Sequence, residues 1–385
     1  MHEEQSPLII VCTAAYLPAI GGAELAIYEI AKRSTNLRFL IVTSRFSREV
    51  PKYEKMDSVE VRRVGFGTGF DKWFLPLRGG LIAIWRALRE PKVVLWGMMV
   101  SQGTLAALFT KSFMSRIPFV LTLQEGDAPE YLQRGRGGLI WFFWKYALRR
   151  ADKVTAISTY LKDLAGKAGR SDVEIIPNGV DADFFSKRDE DAIKHVRDKY
   201  RVSENDIVIL SVSRLVIKNG LDDLIRAFAI FSQTHKNAKL LLVGEGSERS
   251  RLEMLAKNEG VAHSVIFAGA IVPRDIVPYF HVAHVFARPS LSEGLGIAFL
   301  EAMAAGVPIV TTSVGGIADI IQDGETGVVV KAGDVKSIAD GLARINHDQD
   351  LRKEITRKAF VMVREQYSWD AIALHMNQIF TGTLQ

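Results

Sequence analysis

Short apolar runs alternate with longer segments of helical periodicity along the whole chain. The runs are rich in Val, Ile and Leu with few polar interruptions, which is typical of strands that are buried on both faces of a parallel sheet. We predict strands at Leu8–Thr13, Arg38–Thr43, Val93–Trp96, Phe119–Leu123, Val154–Ile157 and Val173–Ile176, and then at Ile207–Val212, Leu240–Val243, Val265–Ala268, Val285–Ala287, Val307–Thr311 and Val328–Val330. The alternation predicts an α/β protein with two doubly wound, Rossmann-like domains.

A turn-rich segment that starts with Pro177, Asn178 and Gly179 separates the two sets of strands. We therefore expect a first domain over residues 1–180 and a second over 181–367, with a ligand cleft between them. A last helix, 368–385, is expected to pack back on the first domain. The length of 385 residues agrees with two domains, because single cores rarely grow so large.

Composition narrows the class of protein. Apolar residues make up 48% of the chain and charged residues 24%, which excludes a disordered chain. The single cysteine, Cys12, cannot form an internal disulfide, and the acidic amino terminus does not resemble a secretory signal. Polar residues interrupt the apolar stretch from Val93 to Thr110, so we expect a strand, a loop and a helix there rather than a membrane span. We interpret these features as those of a cytoplasmic protein.

Charge is unevenly distributed. Residues 1–180 hold 25 basic against 17 acidic side chains, whereas residues 181–385 hold 24 against 27. The basic half contains two aromatic and basic segments, 73–89 and 139–150. Both could lie on an anionic membrane surface, which would make the protein peripheral on the inner face of the cytoplasmic membrane, and for 139–150 the alternative is a core helix with a charged end. No nucleic-acid-reading motif accompanies these charges, so a nucleic-acid partner is not expected.

Two glycine-rich turns open predicted helices. Gly21 and Gly22 follow the first strand, and Gly294 and Gly296 precede an apolar helix that carries Glu301. Free N–H groups and the positive end of the helix dipole at such turns suit a phosphate. A tight turn without a ligand would produce the first pattern equally well.

Charged residues surround the second turn. Glu293 and Glu301 lie eight residues apart, and sugar or ribose hydroxyls are suitable hydrogen-bond donors for such carboxylates. Arg214 and Lys218 follow the strand Ile207–Val212, where cations can bind a diphosphate. The alternatives are two solvated helix-end glutamates and an ordinary surface ion pair.

These motifs resemble those of the family-four glycosyltransferases, which are retaining, nucleotide-sugar-dependent enzymes of the GT-B fold. The resemblance covers nearly the whole chain and includes GGAE, IPNGVD, RL followed by KNG, VGEG, FAGAI, the two glutamates, and GGIADII followed by DGETG. It implies two Rossmann-like domains that face each other across a cleft, and a UDP- or GDP-sugar donor.

The resemblance also implies roles for individual residues. Arg214 and Lys218 match positions that bind the donor diphosphate, Glu301 matches the ribose-binding position, and Glu293 matches the one that faces the transferred sugar. The implied donor-binding set is Gly21, Gly22, Arg214, Lys218, Asn219, Gly244, Ile271, Glu293, Gly294, Leu295, Gly296, Ile297 and Glu301. The implied catalytic set is Glu293, Arg214, Lys218 and Asp127.

The chain departs from the family pattern at two places. Asn219 precedes the glycine where many members have a lysine, so we assign the lysine role to Lys218. The histidine that many members carry after a strand of the first domain is absent here. Gln124 or Asp127 is expected to contact the sugar or the acceptor in its place.

The expected reaction is the departure of a nucleoside diphosphate from an anomeric carbon with retention of configuration. Arginine, lysine and glycine N–H groups can stabilise the phosphate charge, and the sequence shows no convincing Asp-x-Asp pair, so we expect no cofactor and no essential metal. We expect an acceptor that is lipid-linked or an envelope glycan. The alternatives are a sugar-nucleotide epimerase or a phosphorylase on the same fold, and a nucleotide-sugar-binding protein without catalysis.

Overall fold

A computed structural model describes residues 6–18, 21–56, 58–127, 131–132 and 135–385. The chain forms two compact units, of which the first comprises Met1–Asn178 with Trp369–Gln385 and the second comprises Gly179–Ser368. Each unit is an α/β structure built on its own sheet.

The first unit is built on an eight-stranded sheet. Its strands are β1 (Leu8–Cys12), β2 (Arg38–Ser44), β3 (Tyr53–Met56), β4 (Val59–Val64), β5 (Val93–Met98), β6 (Phe119–Leu123), β7 (Lys153–Ala156) and β8 (Val173–Ile175). Helices that follow them in the chain are α1 (Gly22–Arg33), α2 (Gly80–Ala87), α3 (Gln102–Phe113), α4 (Leu139–Arg150) and α5 (Thr159–Lys167).

The order of the strands is β3-β4-β2-β1-β5-β6-β7-β8, and all pairs are parallel except β3 with β4. The order reverses beside β1, as in doubly wound folds, and the strands on either side of that point place their carboxyl ends at one edge. The predicted parallel sheet is confirmed, and β3 adds one antiparallel strand at its edge.

The second unit is built on a six-stranded parallel sheet. Its strands are β9 (Ile207–Val212), β10 (Ala238–Val243), β11 (Val265–Gly269), β12 (Val285–Arg288), β13 (Ile309–Thr312) and β14 (Val328–Val330). The order of the strands is β11-β10-β9-β12-β13-β14. Its helices are α6 (Ala182–Ser186), α7 (Glu190–Tyr200), α8 (Leu221–Thr234), α9 (Arg249–Asn258), α10 (Val277–Val282), α11 (Ile297–Ala304), α12 (Val335–His347) and α13 (Gln349–Gln366).

Buried aliphatic and aromatic side chains fill both cores. In the first unit the last helix, α14 (Trp369–Gly382), contacts α1, and the Phe380 ring lies 5.1 Å from that of Trp96 in an edge-to-face arrangement. In the second unit Phe228 of α8 and Leu240 of β10 belong to one buried cluster. Apolar side chains fill these cores, so polar chemistry is left to the loops at the strand ends.

All twelve predicted strands are confirmed, each within two residues at both ends. The strand and helix predicted within Val93–Thr110 are also present, as β5 and α3. Across the described part of the chain, every helix is either too short or too polar to span a bilayer.

Candidate functional site

Backbone hydrogen bonds connect the loops at the carboxyl edge of the second sheet. Leu215 N, after β9, donates to Glu245 O at 3.0 Å, and Leu291 N, after β12, donates to Lys218 O at 2.7 Å. Gly316 N, after β13, donates to Glu293 O at 3.1 Å. The predicted site segments of this unit therefore form one connected set.

Gly220 shows how closely these loops approach each other. Its φ is +65°, and a Cβ built on it would lie 2.0 Å from the carbonyl oxygen of Pro289. Only glycine fits this position, because a side chain would clash with backbone and would strain the dihedral angle. The loop that carries Lys218 is thereby held against the loop that carries Glu293.

Arg214, Lys218 and Asn219 lie together after β9. The Asn219 side chain is buried, and its Nδ2 donates to the carbonyl oxygen of Arg214 at 2.6 Å. Arg214 extends an exposed side chain, and Lys218 is partly buried. The Asn219 amide thus fixes the shape of the loop that presents Arg214. The expected contacts of all three residues with a nucleotide-sugar donor stay predictions.

The segment from Glu293 to Ile297 turns from β12 into α11. Gly294 N donates to Glu293 Oε1 at 3.1 Å, and Gly296 caps the helix with a φ of +89°. Leu295 is buried, whereas Ile297 is half-buried in the first turn. Because an N-terminal helix turn leaves N–H groups unpaired within the helix, this segment can offer donors to an anion.

Arg288, the last residue of β12, lies beneath this segment. Its Nη2 is 2.8 Å from Glu293 Oε2, and its guanidinium lies 4.3 Å from the centre of the Phe299 ring. A Cβ on Gly296 would come within 2.7 Å of Nη2. Arg288 therefore fixes both the Glu293 carboxylate and the glycine turn.

Arg288 was not predicted as a site residue. Its signal in the sequence is a charged residue at the end of an otherwise apolar strand, directly before Pro289 and Ser290.

Burial raises the pKa of the Glu301 carboxyl to about 7, and the positive charge of Arg288 opposes this rise. The same burial lowers the pKa of Arg288, against the attraction of Glu293 and Glu301. The two predicted carboxylates are therefore coupled through one buried cation. A Glu301 carboxylate without a hydrogen-bonded partner is costly in this setting, so hydroxyl donors from a ligand would stabilise its charged form.

Gly244 and Ile271 lie on the β10 and β11 side of the same edge. Gly244 N donates to Gly269 O at 2.8 Å, which joins the loops after these strands. Ile271 lines a cavity of about 720 Å³ within the second unit, together with residues of α7 and α10. The described lining of this cavity does not include Arg214, Lys218, Glu293 or Glu301, so the cavity is separate from those residues.

The remaining predicted residues belong to the first unit. Gly21 caps α1 and Gly22 begins it, and both are exposed. Gln124 follows β6 and exchanges two hydrogen bonds with the buried Asn178, at 3.0 and 3.2 Å. Asp127 is partly buried further along this loop. Both pairs follow strands of the parallel set, so they lie at its carboxyl edge.

Glu125, also missed by the sequence analysis, is buried beside Gln124. Its Oε1 accepts hydrogen bonds from Val100 N at 2.8 Å and from Trp144 Nε1 at 3.2 Å. Its Oε2 has no hydrogen-bond partner among the described residues, and burial raises the pKa of the carboxyl. Glu125 connects the loop after β5 to α4 and so positions its neighbour Gln124.

Taken together, the second unit offers an exposed guanidinium, an ammonium, a glycine-rich helix start and two coupled carboxylates at one sheet edge. Cations and N–H groups bind phosphate oxygens, and carboxylates accept hydrogen bonds from sugar hydroxyls. Over the residues described, the structure contains no group of three His, Cys, Asp or Glu side chains arranged to hold a metal ion.

Comparisons with known proteins agree with this chemistry. Residues 20–184 match the family described as Glycosyltransferase Family 4, and residues 192–362 match Glycosyl transferases group 1. A GDP-mannose-dependent alpha-(1-6)-phosphatidylinositol monomannoside mannosyltransferase of Mycobacterium tuberculosis is 33% identical over 240 residues, which are 60% of this chain and 62% of that protein. A putative teichuronic acid biosynthesis glycosyltransferase of Bacillus subtilis, TuaC, is 26% identical over 350 residues, which are 89% of this chain and 86% of that protein.

Solved structures show the same fold. Sucrose-phosphate synthase from Thermosynechococcus elongatus superposes with a TM-score of 0.83 at 20% identity, covering 98% of both chains. HepE of Anabaena, in complex with UDP and glucose, gives a TM-score of 0.79 at 21% identity, covering 98% of this chain and 99% of its own. With both halves matched and the fold shared, the chain belongs to the family-four glycosyltransferases of the GT-B fold.

Proposed function

We propose that the protein is a retaining glycosyltransferase that moves a hexose from a UDP- or GDP-sugar to a lipid-linked or envelope glycan acceptor. The observation that carries this proposal is the pair Glu293 and Glu301, coupled through the buried Arg288 at the same sheet edge as Arg214 and Lys218. A structural ion pair alone would not need two carboxylates, a glycine-rich helix start and two further cations at one edge.

The donor diphosphate is assigned to Arg214, Lys218 and the N–H groups of residues 294–296. Charge grows on the leaving phosphates as the bond to the anomeric carbon breaks. Preorganised cations and N–H dipoles stabilise that charge, which is usually the largest catalytic contribution. Because these groups meet the charge themselves, we propose that no divalent metal is essential.

The sugar and ribose portions are assigned to the two carboxylates. Glu301, with a pKa near 7, gains hydrogen bonds from ribose hydroxyls. Glu293, held by Arg288 and by Gly294 N, faces the transferred sugar and supports the oxocarbenium-like carbon. With retention of configuration, the acceptor attacks from the face that the leaving group vacates, and the departing phosphate accepts the proton of the acceptor hydroxyl.

The names of the relatives support candidate substrates. The mycobacterial relative is described as using GDP-mannose, and HepE was crystallised with UDP and with UDP-glucose, which supports both bases as candidates here. Phosphatidylinositol mannoside and teichuronic acid in the relatives' names support an acceptor of the cell envelope. We place Gln124 and Asp127 on the acceptor or sugar side and the reaction on the cytoplasmic face of the membrane.

The test is product formation by the purified protein with UDP- and GDP-hexoses. We expect Arg214→Ala and Glu293→Gln to lower kcat by about 100-fold or more with unchanged folding. Arg357→Ala and Glu354→Gln, which remove a surface pair on α13, are the matched controls and should retain full turnover. Wild-type turnover in both site variants would refute the assignment. Donor binding without any product would favour a binding protein, and NMR of the product reads the anomeric configuration.

A further inference from the structure

The segment from Phe70 to Leu88 carries its small side chains inward and its large apolar ones outward. A 3₁₀ turn (Asp71–Trp73), a π-helical stretch (Leu75–Gly79) and α2 follow one another without a break. The residues of this segment that lie buried at every fourth position are Asp71, Leu75, Gly79, Ala83 and Ala87. Three of these five are glycine or alanine.

The opposite side, which we name the aromatic face, is exposed. Its members share an exposed fraction between 41% and 74% and are Phe70, Trp73, Phe74, Leu77, Leu81, Trp85 and Leu88. From Phe74 to Leu88 the members follow one another at spacings of three and four residues, which puts them on one helical stripe. A surface helix of a soluble protein normally carries such a stripe toward the core, so this orientation needs an external partner.

Packing explains the small residues but not the large ones. A Cβ on Gly80 would lie 2.5 Å from Cδ1 of Phe109 in α3, so α2 approaches α3 too closely for larger side chains. This close approach limits the size of only those side chains of α2 that face α3. It places no demand on Trp85 or Leu88, whose side chains are exposed.

The charges of the segment identify the partner. The Arg78 guanidinium lies 5.6 Å from the Phe74 ring centre, and that of Arg89 lies 3.8 Å from the Trp85 ring centre. Throughout residues 66–89, all of which the structure describes, the one acidic residue is Asp71, whose carboxylate is buried and accepts hydrogen bonds from Gly67 N and Thr68 N. The exposed face is therefore apolar and positive, as expected for a helix that lies in the interface of an anionic bilayer.

Helix α4 also displays apolar side chains at the surface of the first unit. It buries Trp144 and exposes Leu139 and Phe142, so this helix has a core side and an exposed apolar side. Helix α3 contacts both α2 and α4. Its Phe113 is also exposed, so the three neighbouring helices all display apolar side chains.

We propose that the aromatic face, together with the exposed side of α4, docks on the surface of an anionic lipid bilayer. The face begins with Phe70, after the carboxyl end of β4 and so at the sheet edge where Gln124 and Asp127 follow β6, and its last members, Trp85 and Leu88, come just before β5, toward the opposite edge. Docking would bring the loop that we assign to the acceptor close to the lipid surface. This last step rests on the proposed function, whereas membrane binding itself does not.

The test is flotation of the full-length protein with phosphatidylcholine vesicles that contain or lack phosphatidylglycerol. The triple variant Phe70→Ser, Trp85→Ser and Leu88→Ser removes three members of the aromatic face. The matched control, Ile230→Ser, Met254→Ser and Leu374→Ser, removes three exposed apolar side chains from other helices. We expect wild type and control to bind anionic vesicles, and the partition coefficient of the triple variant to fall at least about tenfold.

A charge variant separates the two contributions. Arg78→Gln with Arg89→Gln should reduce the preference for anionic over neutral vesicles while weak binding to neutral vesicles persists. Equal binding by wild type and the triple variant would overturn the proposal, as would wild type that does not float with anionic vesicles.

Sedimentation velocity tests the other occupants of the face. A wild-type dimer that becomes monomeric in the triple variant would show that a second copy covers the face, and would overturn membrane docking. Nucleotide-induced thermal shifts should be equal in wild type and the triple variant. If those shifts are absent from both while wild type still binds vesicles, the proposed function fails and the docking surface stands.

Discussion

Replacement of Arg288 by methionine tests the centre of the site. The methionine keeps an apolar stem over Phe299 but removes the charge that holds Glu293 at 2.8 Å. The side chains of Arg288 and Glu293 are 6% and 17% exposed, so their pair is largely shielded from solvent. Loss of one partner of a buried pair costs about 3–5 kcal/mol, and the residual exposure of Glu293 favours the lower end, about 3 kcal/mol.

A double-mutant cycle in urea unfolding measures this cost. Arg288→Met alone should lower the free energy of unfolding by about 3 kcal/mol, and Arg288→Met with Glu293→Gln should recover about 1–3 kcal/mol as coupling. Arg344→Met is the matched control, because the pair of Arg344 with Asp323 is about half exposed and should contribute less than about 1 kcal/mol. We therefore expect the free energy of unfolding to fall much more in Arg288→Met than in Arg344→Met.

The catalytic consequence is separate from stability. Arg288→Met leaves Glu301 without the positive charge that opposes the rise of its pKa, so more of the Glu301 carboxyl should be protonated at neutral pH. We expect weaker donor binding at neutral pH that partly recovers as the pH is raised. Equal losses for Arg288→Met and Arg344→Met, or no coupling in the cycle, would refute the reasoning.

Three further predictions follow from the same contacts. Folding raises the pKa of Glu301 from 4.5 to about 7, so the folded state binds the proton more tightly and the free energy of unfolding should fall as pH rises from about 4.5 to 7. Glu301→Gln should flatten this slope in urea titrations, and an unchanged slope would contradict the prediction. Gly220→Ala should cost about 2 kcal/mol and weaken donor binding, because its Cβ meets Pro289 O at 2.0 Å; wild-type melting would count against this contact. EDTA should leave turnover unchanged, whereas loss that Mg²⁺ restores would overturn metal independence.

The strands were predictable because each core strand is a continuous apolar run. The two that escaped prediction lie toward one edge of the first sheet. Tyr53–Met56 exposes three of its four residues, and Val59–Val64 contains Arg62 and Arg63. The edge strand β3 pairs on one side only, so it needs no continuous apolar run, and its neighbour β4 offers only the short alternation of Val59, Glu60 and Val61.

The candidate site was predictable where local geometry decides it. The glycine turns at Gly22 and Gly296 begin helices as expected, because glycine before an apolar helix is a local signal. The role of Arg288 was not predictable, since it depends on the carboxylates of Glu293 and Glu301, which only folding brings to it. The same holds for Glu125, whose partner Trp144 comes from another helix.

The helix at 139–150 shows a different limit of local pattern. Its aromatic residues satisfied both a core and a surface interpretation, and the structure divides them, with Trp144 inside and Phe142 outside. Helical periodicity identifies the faces of a helix, but tertiary packing decides which face is covered.

Thermal shift with a panel of UDP, GDP, ADP and their sugars tests most directly that the carboxyl edge of the second unit binds a nucleoside diphosphate. A ligand at 100 times its dissociation constant stabilises the folded protein by about 2.7 kcal/mol. We predict that one uracil or guanine nucleotide raises the Tm clearly above the others, and that Arg214→Ala abolishes the shift while Arg357→Ala preserves it. No shift with any nucleotide, or the same shift in both variants, would contradict the account.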